Sequence, residues 1–181
     1  MPLVSFPDAA MSDVHVESDI AALAHQYGPL VYRAAYKLLG NHSAAQDIQQ
    51  DIFVRLLERP PRQVQSWPAY LTSCAVRLSI DHMRRQRRWR SFLPFLDAAE
   101  NTAESADQSV SDQQDLNRLR KGLARLKSRE ATCFAMRFIH GATIADIAHA
   151  TGLTTNHVSV SLHRATLQLE KFCGGNAAQG E

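Results

Sequence analysis

The sequence predicts an all-α protein made of two small helical domains. Apolar residues recur every three or four positions over most of the chain, and strand-like alternation appears nowhere. Residues 97–115 are acidic, small or amide except for Val110, so they lack the apolar area that offsets the entropy of folding. The expected order is a disordered tail (1–18), a first lobe (19–95), a flexible acidic linker (96–117), a second lobe (118–173) and a second disordered tail (174–181).

Two helices are expected in the first half of the first lobe. The first contains Pro29, where it either kinks or restarts, and it ends at Gly40. Ser43 and Gln46 form a capping-box pattern, in which a hydroxyl and an amide satisfy free amides at a helix start. The second helix is therefore expected over 43–58.

A third helix, with Ser66 as its expected cap, ends in the basic segment RLSIDHMRRQRRWR, residues 77–90. Rows of arginine neutralise phosphates and supply most of the sequence-independent affinity for nucleic acids. Trp67, Tyr70 and Trp89 lie near this segment, and aromatic rings beside a basic row are typical of proteins that hold unstacked bases. The alternative is a solvated basic helix end with tryptophans in the core.

The second helix also carries a polar face opposite its apolar stripe. Asp47, Gln50, Asp51 and Val54 follow the i, i+3, i+4, i+7 spacing of one helix face. Acids and an amide around an apolar residue suit a basic protein helix and not DNA. An ordinary solvated face is the alternative.

The second lobe contains the spacing of a helix-turn-helix. Thr143 is the expected cap of a short helix, and Gly152 follows Ala148 by four residues, where a positive φ permits a sharp turn. Val158 and Leu162 anchor the next helix, whose first residues enter the major groove in proteins of this kind. The side chains expected to face DNA are Thr155, Asn156, His157, Ser159, Ser161 and Arg164.

The net charge of +2 conceals an uneven distribution. Residues 1–95 hold 11 basic and 8 acidic side chains, residues 96–117 hold 6 acidic and no basic ones, and residues 118–181 hold 9 basic and 4 acidic ones. Two basic blocks around an acidic one predict two modules with a polyanionic partner. No apolar run approaches the roughly 20 residues of a membrane span, and no secretory signal is evident, so a cytoplasmic protein is expected.

Enzyme chemistry is not expected. The sequence contains no glycine-rich phosphate loop, nucleophile–base pattern or paired carboxylates. Cys74, Cys133 and Cys173 form no C-x-x-C pair, and the eight histidines lack the spacing of a metal site. We therefore expect no catalytic residue, no metal, no cofactor and no small-molecule substrate.

Taken together, these segments resemble bacterial RNA polymerase sigma factors of the extracytoplasmic-function group, which contain the sigma regions called two and four. SAAQDIQQDIFVRLLE resembles the family's helix that grips the clamp coiled coil of the largest polymerase subunit. The resemblance implies that this helix binds core polymerase through Asp47, Gln50, Asp51, Phe53 and Val54.

Two further segments resemble the family's promoter-binding regions. WPAYLTSCAVRLSIDHMRRQRR resembles the segment that melts the downstream (−10) element, which implies contacts from Trp67, Arg77, Asp81, Arg84, Arg85 and Arg88. LARLKSREATCFAMRFIHGATIADIAHATGLTTNHVSVSLHRA resembles the region that reads the upstream (−35) element. Arg77 stands where the family usually has asparagine, and Ser159 and Ser161 replace positions that are often basic.

The resemblance implies a dissociable initiation subunit that directs core RNA polymerase to promoters and opens them. The implied partners are the clamp coiled coil and flap of core polymerase, promoter DNA and an anti-sigma factor, which is membrane-bound for many members. Two alternatives remain at this point. One is a two-lobed helix-turn-helix activator that does not substitute for a sigma subunit, and the other is a DNA-processing enzyme, for which clustered carboxylates are missing.

Overall fold

A computed structural model of the chain describes residues 13–61, 63–92 and 110–174, and it confirms the predicted all-α class. Within these ranges there is no strand, and no helix is long and apolar enough to cross a membrane. The elements are α1 (Asp13–Leu39), α2 (His42–Glu58), α3 (Trp67–Phe92), α4 (Val110–Leu123), α5 (Ser128–Phe134), a π-helical turn (Ala135–Ile139), α6 (Ile144–Thr151) and α7 (Thr155–Gly174).

The connection between α1 and α2 differs from its prediction in one respect. α1 continues through Pro29 without ending, and Gly40 follows it at φ 64°, as a glycine at a helix end permits. The cap of α2 is the side chain of Asn41, which accepts a hydrogen bond of 2.8 Å from the backbone N–H of Ala44. The predicted capping box at Ser43 is wrong, because the helix has already begun at the preceding residue.

α3 packs against both halves of the chain. Its side chains Leu71 and Leu78 are buried in the core formed with α1 and α2. Val76, Ile80 and Met83 are buried instead among side chains of α4 to α7. In this arrangement α3 contributes both to the core of α1 and α2 and to the core of α4 to α7.

Polar contacts reinforce the docking of the lobes. Arg87 Nη1 donates to the carbonyl of Ala124 at 3.2 Å, and Arg120 Nε donates to the carbonyl of Leu38 at 2.7 Å. The second bond satisfies a carbonyl that the end of α1 leaves without a helical partner. The guanidinium of Arg120 lies so close to Gly40 that a Cβ there would collide with it. The docked arrangement thus depends on contacts from both lobes.

The ordered helices extend beyond the predicted lobes at two places. α1 begins at Asp13, inside the predicted tail, and α4 begins at Val110, inside the predicted linker. Leu123 of α4 is fully buried, and Gly122 is so close to Leu169 of α7 that a Cβ there would approach its side chain to 2.6 Å. The rest of the predicted linker, up to residue 109, and the chain ends at 1–12 and 175–181 lie outside the described residues.

Replacing Ile80 by alanine is expected to lower the free energy of unfolding by about 2–5 kcal/mol, the usual cost of truncating a large buried aliphatic side chain. Ile80 has no exposed surface and lies in the core that joins α3 to the second lobe. Chemical denaturation measures the change. Leu57→Ala is the control, because Leu57 is 43% exposed and should change stability by less than about 1 kcal/mol. Equal midpoints for Ile80→Ala and wild type would contradict the shared core.

His140 gives the docked fold a pH dependence. Burial, assisted by nearby Lys37 of α1, lowers the pKa of His140 to about 4, and its Nε2 has no hydrogen-bond partner among the described residues. The unfolded chain therefore binds the extra proton first, so this contribution to stability is complete above about pH 6.5 and is lost as the pH falls towards 4. We expect a loss of about 1–2 kcal/mol between pH 7 and 4.5, after allowance for partial solvation.

The measurement is chemical denaturation at several pH values for wild type and His140→Gln. The variant should lose less stability than wild type on acidification, since glutamine does not titrate. His163→Gln is the control, because His163 is exposed on α7. Parallel pH profiles for wild type and His140→Gln would contradict the assignment.

Candidate nucleic-acid interface

α6 and α7 form the predicted helix-turn-helix. Thr143 Oγ1 accepts from the N–H of Asp146, and Asp146 Oδ2 accepts from the N–H of Thr143, each at 3.1 Å. The pKa of Asp146 is lowered by the Thr143 hydroxyl, which donates to Asp146 Oδ2 at 2.6 Å, and by the Thr143 N–H. Gly152 adopts φ 70° at the turn, and Ala148 and Val158 are buried where the two helices meet. The turn fixes the first residues of α7 on the outside of the lobe.

The outer face of α7 carries most of the side chains predicted to face DNA. Thr155, Asn156, His157, Ser159 and Arg164 are exposed. Ser159 Oγ donates to the carbonyl of Thr155 at 3.0 Å, which leaves its oxygen available as an acceptor. Five of the six predicted side chains therefore share one open surface.

Ser161 is the exception, and its prediction as a DNA-facing residue is wrong. It is only 6% exposed, because it continues the buried stripe of Val158, Ala165 and Leu169 on α7. It lies beside the Cys133 thiol of α5, whose pKa is raised mainly by burial. The sequence contains the helical spacing of this stripe. Because serine is polar, its residue type did not identify position 161 as a buried member of the stripe.

The basic segment of α3 forms a continuous outer face. Arg77, Asp81, Arg84 and Arg88 follow the i, i+4, i+7, i+11 spacing of one helix side. Arg77, Arg85 and Arg88 are exposed, whereas Asp81 and Arg84 are half-buried. We call the six residues of this surface the α3 basic face: Trp67, Arg77, Asp81, Arg84, Arg85 and Arg88.

The aromatic residues near this face differ in accessibility. Trp67 is half-buried and packs edge-on against Tyr70, with ring centroids 6.0 Å apart. Arg77 lies close enough to Tyr70 to lower its pKa, although burial has the larger, opposite effect. Trp89, by contrast, is 67% exposed at the far end of α3. Of the three aromatic residues that the sequence placed beside the basic segment, Trp89 is therefore the most exposed.

The predicted polymerase-binding face of α2 is exposed at three residues, half-buried at Asp51 and buried at Phe53. Asp47 and Gln50 are exposed, and Val54 is 50% exposed. Asp51 accepts from the guanidinium of Arg55 through both oxygens, at 2.8 and 3.1 Å. These residues form an acidic surface around an apolar side chain.

Two corrections apply to this face. Phe53 is only 9% exposed and packs in the core with α1 and α3, so it stabilises α2 and is not displayed to a partner. Leu57 was missed, although it follows Val54 by three residues and is 43% exposed. We call the corrected surface the α2 face: Asp47, Gln50, Asp51, Val54 and Leu57.

A cleft of about 710 Å³ lies where the last turns of α3 face the second lobe. The cleft lies between the α1–α2 connection, α3 and α4, and it was not predicted. Its basic lining residues are Arg87, Arg90, Arg120, Lys121 and Arg125. Arg87 and Arg90 are thus directed away from the outer side of the helix. Among the described residues, no group of histidine, cysteine or acidic side chains could hold a metal ion.

Comparison with known proteins agrees with this geometry. The family model for sigma-70 region 2 matches residues 23–89, which contain α2 and most of α3. The model for sigma-70 region 4 matches residues 122–171, which contain the helix-turn-helix. Together the two models match well over half of the chain.

Curated relatives show the same assignment. The chain is 27% identical over 160 residues to the ECF RNA polymerase sigma factor BldN of Streptomyces coelicolor, a match that covers 86% of this chain and 60% of BldN. It is 25% identical over 154 residues to the ECF RNA polymerase sigma factor SigL of Mycobacterium tuberculosis, covering 82% of this chain and 85% of SigL.

A solved structure supports the fold. The sigma factor RpoE of Bartonella quintana, crystallised in complex with the anti-sigma factor NepR, aligns over 87% of this chain and 98% of its own with a TM-score of 0.54 at 17% identity. With both family models in the expected order and sigma factors as relatives in sequence and fold, the chain belongs to the sigma-70 family, in its extracytoplasmic-function group.

Proposed function

We propose that this sigma factor binds core RNA polymerase through the α2 face, opens the downstream element along the α3 basic face and reads the upstream element with α7. The observation that carries this assignment is the exposed α2 face in the same lobe as the α3 basic face. An acidic surface with two apolar side chains repels DNA and complements a basic protein helix. The chain supplies binding and positioning and has no catalytic role in this proposal.

The α3 basic face suits an opened promoter because its cations attract phosphates of either strand. Each exposed polar side chain at the start of α7 suits a base edge in the major groove, and Arg164 suits a phosphate or a guanine. The order of the two surfaces along the chain matches the order of family regions two and four. We propose base recognition for Thr155, Asn156 and His157.

The docked lobes have to separate in order to bind both elements. The −35 and −10 positions are roughly 85 Å apart on straight duplex at 3.4 Å per base pair. A compact body of the described size is only about 40 Å across. The residues between Phe92 and Val110 span at most about 60 Å when fully extended, which permits the separation. We therefore propose that the contact of α3 with the second lobe opens when the polymerase binds.

We also propose an anti-sigma partner. The support is the likeness of the fold to RpoE, whose structure is a complex with the anti-sigma factor NepR. Two finer points remain predictions from the family resemblance. One is that the polymerase is contacted at its clamp coiled coil and its flap, and the other is that the anti-sigma factor is held at the membrane.

The proposed function is tested by promoter opening with purified components. Core polymerase plus this chain should make thymines of the downstream element reactive to permanganate, and neither component should do so alone. A two-lobed activator would instead bind upstream DNA and leave the downstream element closed unless another sigma factor were added. That second outcome would refute the proposed assignment.

Replacing Arg84 and Arg88 by alanine is expected to reduce permanganate reactivity of the downstream element at least tenfold. The affinity of the closed complex should fall only a few-fold, because the two guanidinium groups bind strands that separate only on opening. Arg118→Ala is the control, because Arg118 is an exposed arginine of α4 that pairs with Asp115. An equal loss at both steps would show that the two arginines only anchor phosphates.

A further inference from the structure

We propose that the cleft between the lobes binds a small anion with two or more linked phosphate groups, and that this anion holds the lobes docked. The cleft, which we call the interlobe cleft, is bounded by the α1–α2 connection and α3 on one side and by α4 on the other. The effect on initiation rests on the proposed function, in which the lobes have to separate. The binding itself is a property of the chain alone.

The lining of the interlobe cleft is strongly cationic. Both lobes contribute basic residues to it: Arg87 of α3, Arg120 and Lys121 of α4, and Arg125, which follows α4. Among the described residues, Asp47 is the single acid in the lining, and none of these four cations forms an ion pair. Four cations against one carboxylate produce a positive potential that attracts anions.

The contacts of these cations within the fold are with neutral groups. Arg87 and Arg120 donate to backbone carbonyls, and Arg120 Nη1 also donates to the amide oxygen of Asn117 at 3.1 Å. The guanidinium carbon of Arg125 lies 4.3 Å from the centroid of the Phe172 ring. Burial lowers the pKa of Arg120, as expected for a cation that leaves water without an anionic partner. The neutral groups therefore position the cations without compensating their charge.

The start of α2 adds positive potential from the backbone. Asn41, Ser43 and Ala44 line the cleft, and they are the cap and part of the first turn of this 17-residue helix. The amino end of a helix carries a partial positive charge, which favours phosphates. The first turn of α2 contains no acidic side chain that would offset this charge. The backbone and the side chains of the cleft thus favour the same kind of ligand.

Linked phosphates fit the interlobe cleft better than other anions. Phosphate oxygens match the fork of N–H donors on arginine. A single phosphate carries about two negative charges, so two or more linked groups are needed to balance the four cations. The volume of about 710 Å³ is that of a small-molecule site. It equals a cube about 9 Å on a side, narrower than the roughly 12 Å major groove of a duplex, so duplex DNA does not fit.

The position of the cleft couples binding to the arrangement of the lobes. Because its walls come from both lobes, the cleft exists only while they are docked. A ligand that binds one arrangement and not the other stabilises it by mass action. The anion would therefore oppose the separation that promoter recognition requires, and initiation would fall as its concentration rises.

The binding test is calorimetric titration of the full chain with sodium pyrophosphate, without polymerase. We expect Lys121→Gln with Arg125→Gln to weaken binding at least tenfold, because two charged contacts are lost. The arginines that also hold the lobes together are kept. Arg118→Gln with Lys127→Gln is the matched control and should change binding less than twofold, since both are exposed cations of the second lobe outside the described lining.

Further ligands identify the source of the phosphates. ATP and tripolyphosphate carry the same number of linked phosphates. Tighter binding of ATP would identify a nucleotide as the ligand, and equal binding would identify an inorganic polyphosphate. Sulfate at the same ionic strength should bind at least tenfold more weakly than pyrophosphate. Equal binding of sulfate and pyrophosphate would overturn the proposal, because the cleft would then select only for negative charge.

Amide hydrogen exchange tests whether the anion holds the lobes together. The segment of α3 at residues 76–83 contains the side chains buried against the second lobe. Pyrophosphate should slow exchange in this segment at least threefold in wild type, and it should have no effect in Lys121→Gln with Arg125→Gln. Circular dichroism verifies that each variant is folded. Unchanged exchange in wild type with bound pyrophosphate would overturn the proposal.

The acidic segment of the chain itself is the competing occupant. Residues 93–109 contain four acidic and no basic side chains. If pyrophosphate bound only after these four acids had been replaced by their amides, the segment and not a free anion would occupy the cleft, and the proposal would be wrong. Equal pyrophosphate affinities for the cleft variant and wild type would also overturn it. Binding to core polymerase is measured separately without pyrophosphate, so its failure would count against the proposed function alone.

Discussion

Reversing the charge of Asp51 with Asp51→Arg is expected to lower the affinity for core RNA polymerase by about 10- to 100-fold, or about 1.4–2.8 kcal/mol. The new guanidinium would lie beside Arg55, which Asp51 now neutralises through two hydrogen bonds. The α2 face and the adjoining Arg55 would then present two positive charges to a basic partner. Only Asp47 would remain as an acid among the residues of that face.

A matched variant separates this effect from the loss of a surface ion pair. Asp115→Arg makes the same change of charge at an exposed acid that pairs with Arg118 at 3.6 Å on α4. We expect its affinity for core polymerase to stay within twofold of wild type, as surface ion pairs contribute little. Titration of labelled core polymerase measures both. Equal affinities for Asp51→Arg and wild type would show that the α2 face is not the polymerase-binding surface.

Locking the lobes together is expected to abolish initiation almost completely. Ser73 Oγ donates to the carbonyl of Ala150 at 3.1 Å, so cysteines at these two positions lie where α3 meets α6. In a background with Cys74 and Cys173 changed to serine, oxidation of Ser73→Cys with Ala150→Cys should join the lobes. The oxidised chain should fail to open promoters because it cannot reach both elements, and reduction should restore opening.

The locked chain should keep one activity. Thr155, Asn156 and His157 are exposed in the docked arrangement, so binding to a duplex with only the upstream element should be unchanged. The reduced double variant and each single cysteine variant are the controls, and a non-reducing gel verifies the crosslink. Promoter opening by the oxidised chain at the rate of the reduced one would contradict the proposed separation of the lobes.

The helix-turn-helix could be predicted in detail because its determinants are local. Thr143 caps α6, and Gly152 supplies the left-handed turn, within a dozen residues of each other. Ser161 could not be placed by residue type, since a small hydroxyl fits both an exposed face and a buried stripe. Its position four residues before Ala165 was the stronger signal.

The docking of the lobes was not predicted because it is a tertiary property. The sequence does contain its signal, since Val76, Ile80 and Met83 form a second apolar stripe on α3, at i, i+4, i+7. A helix in a three-helix lobe needs only one such stripe. A second stripe indicates a further partner but does not say which part of the chain supplies it.

Helix ends show the same limit on a smaller scale. Asn41 and Ser43 are both good caps, and local preference alone does not decide between them. α4 begins at Val110, and its last turn is anchored by Leu123, which is buried in the core that α3 shares with the second lobe. A polar segment that looks like a linker can therefore be helical when one end of it is anchored.

The most direct test of the central claim is run-off transcription from a promoter library with purified core RNA polymerase and this chain as the sole added factor. We predict transcripts that start at defined positions downstream of a shared pair of elements, and no such transcripts with core polymerase alone. If the chain bound duplex DNA tightly but core polymerase produced defined transcripts only after another sigma factor was added, the assignment as an initiation subunit would be contradicted.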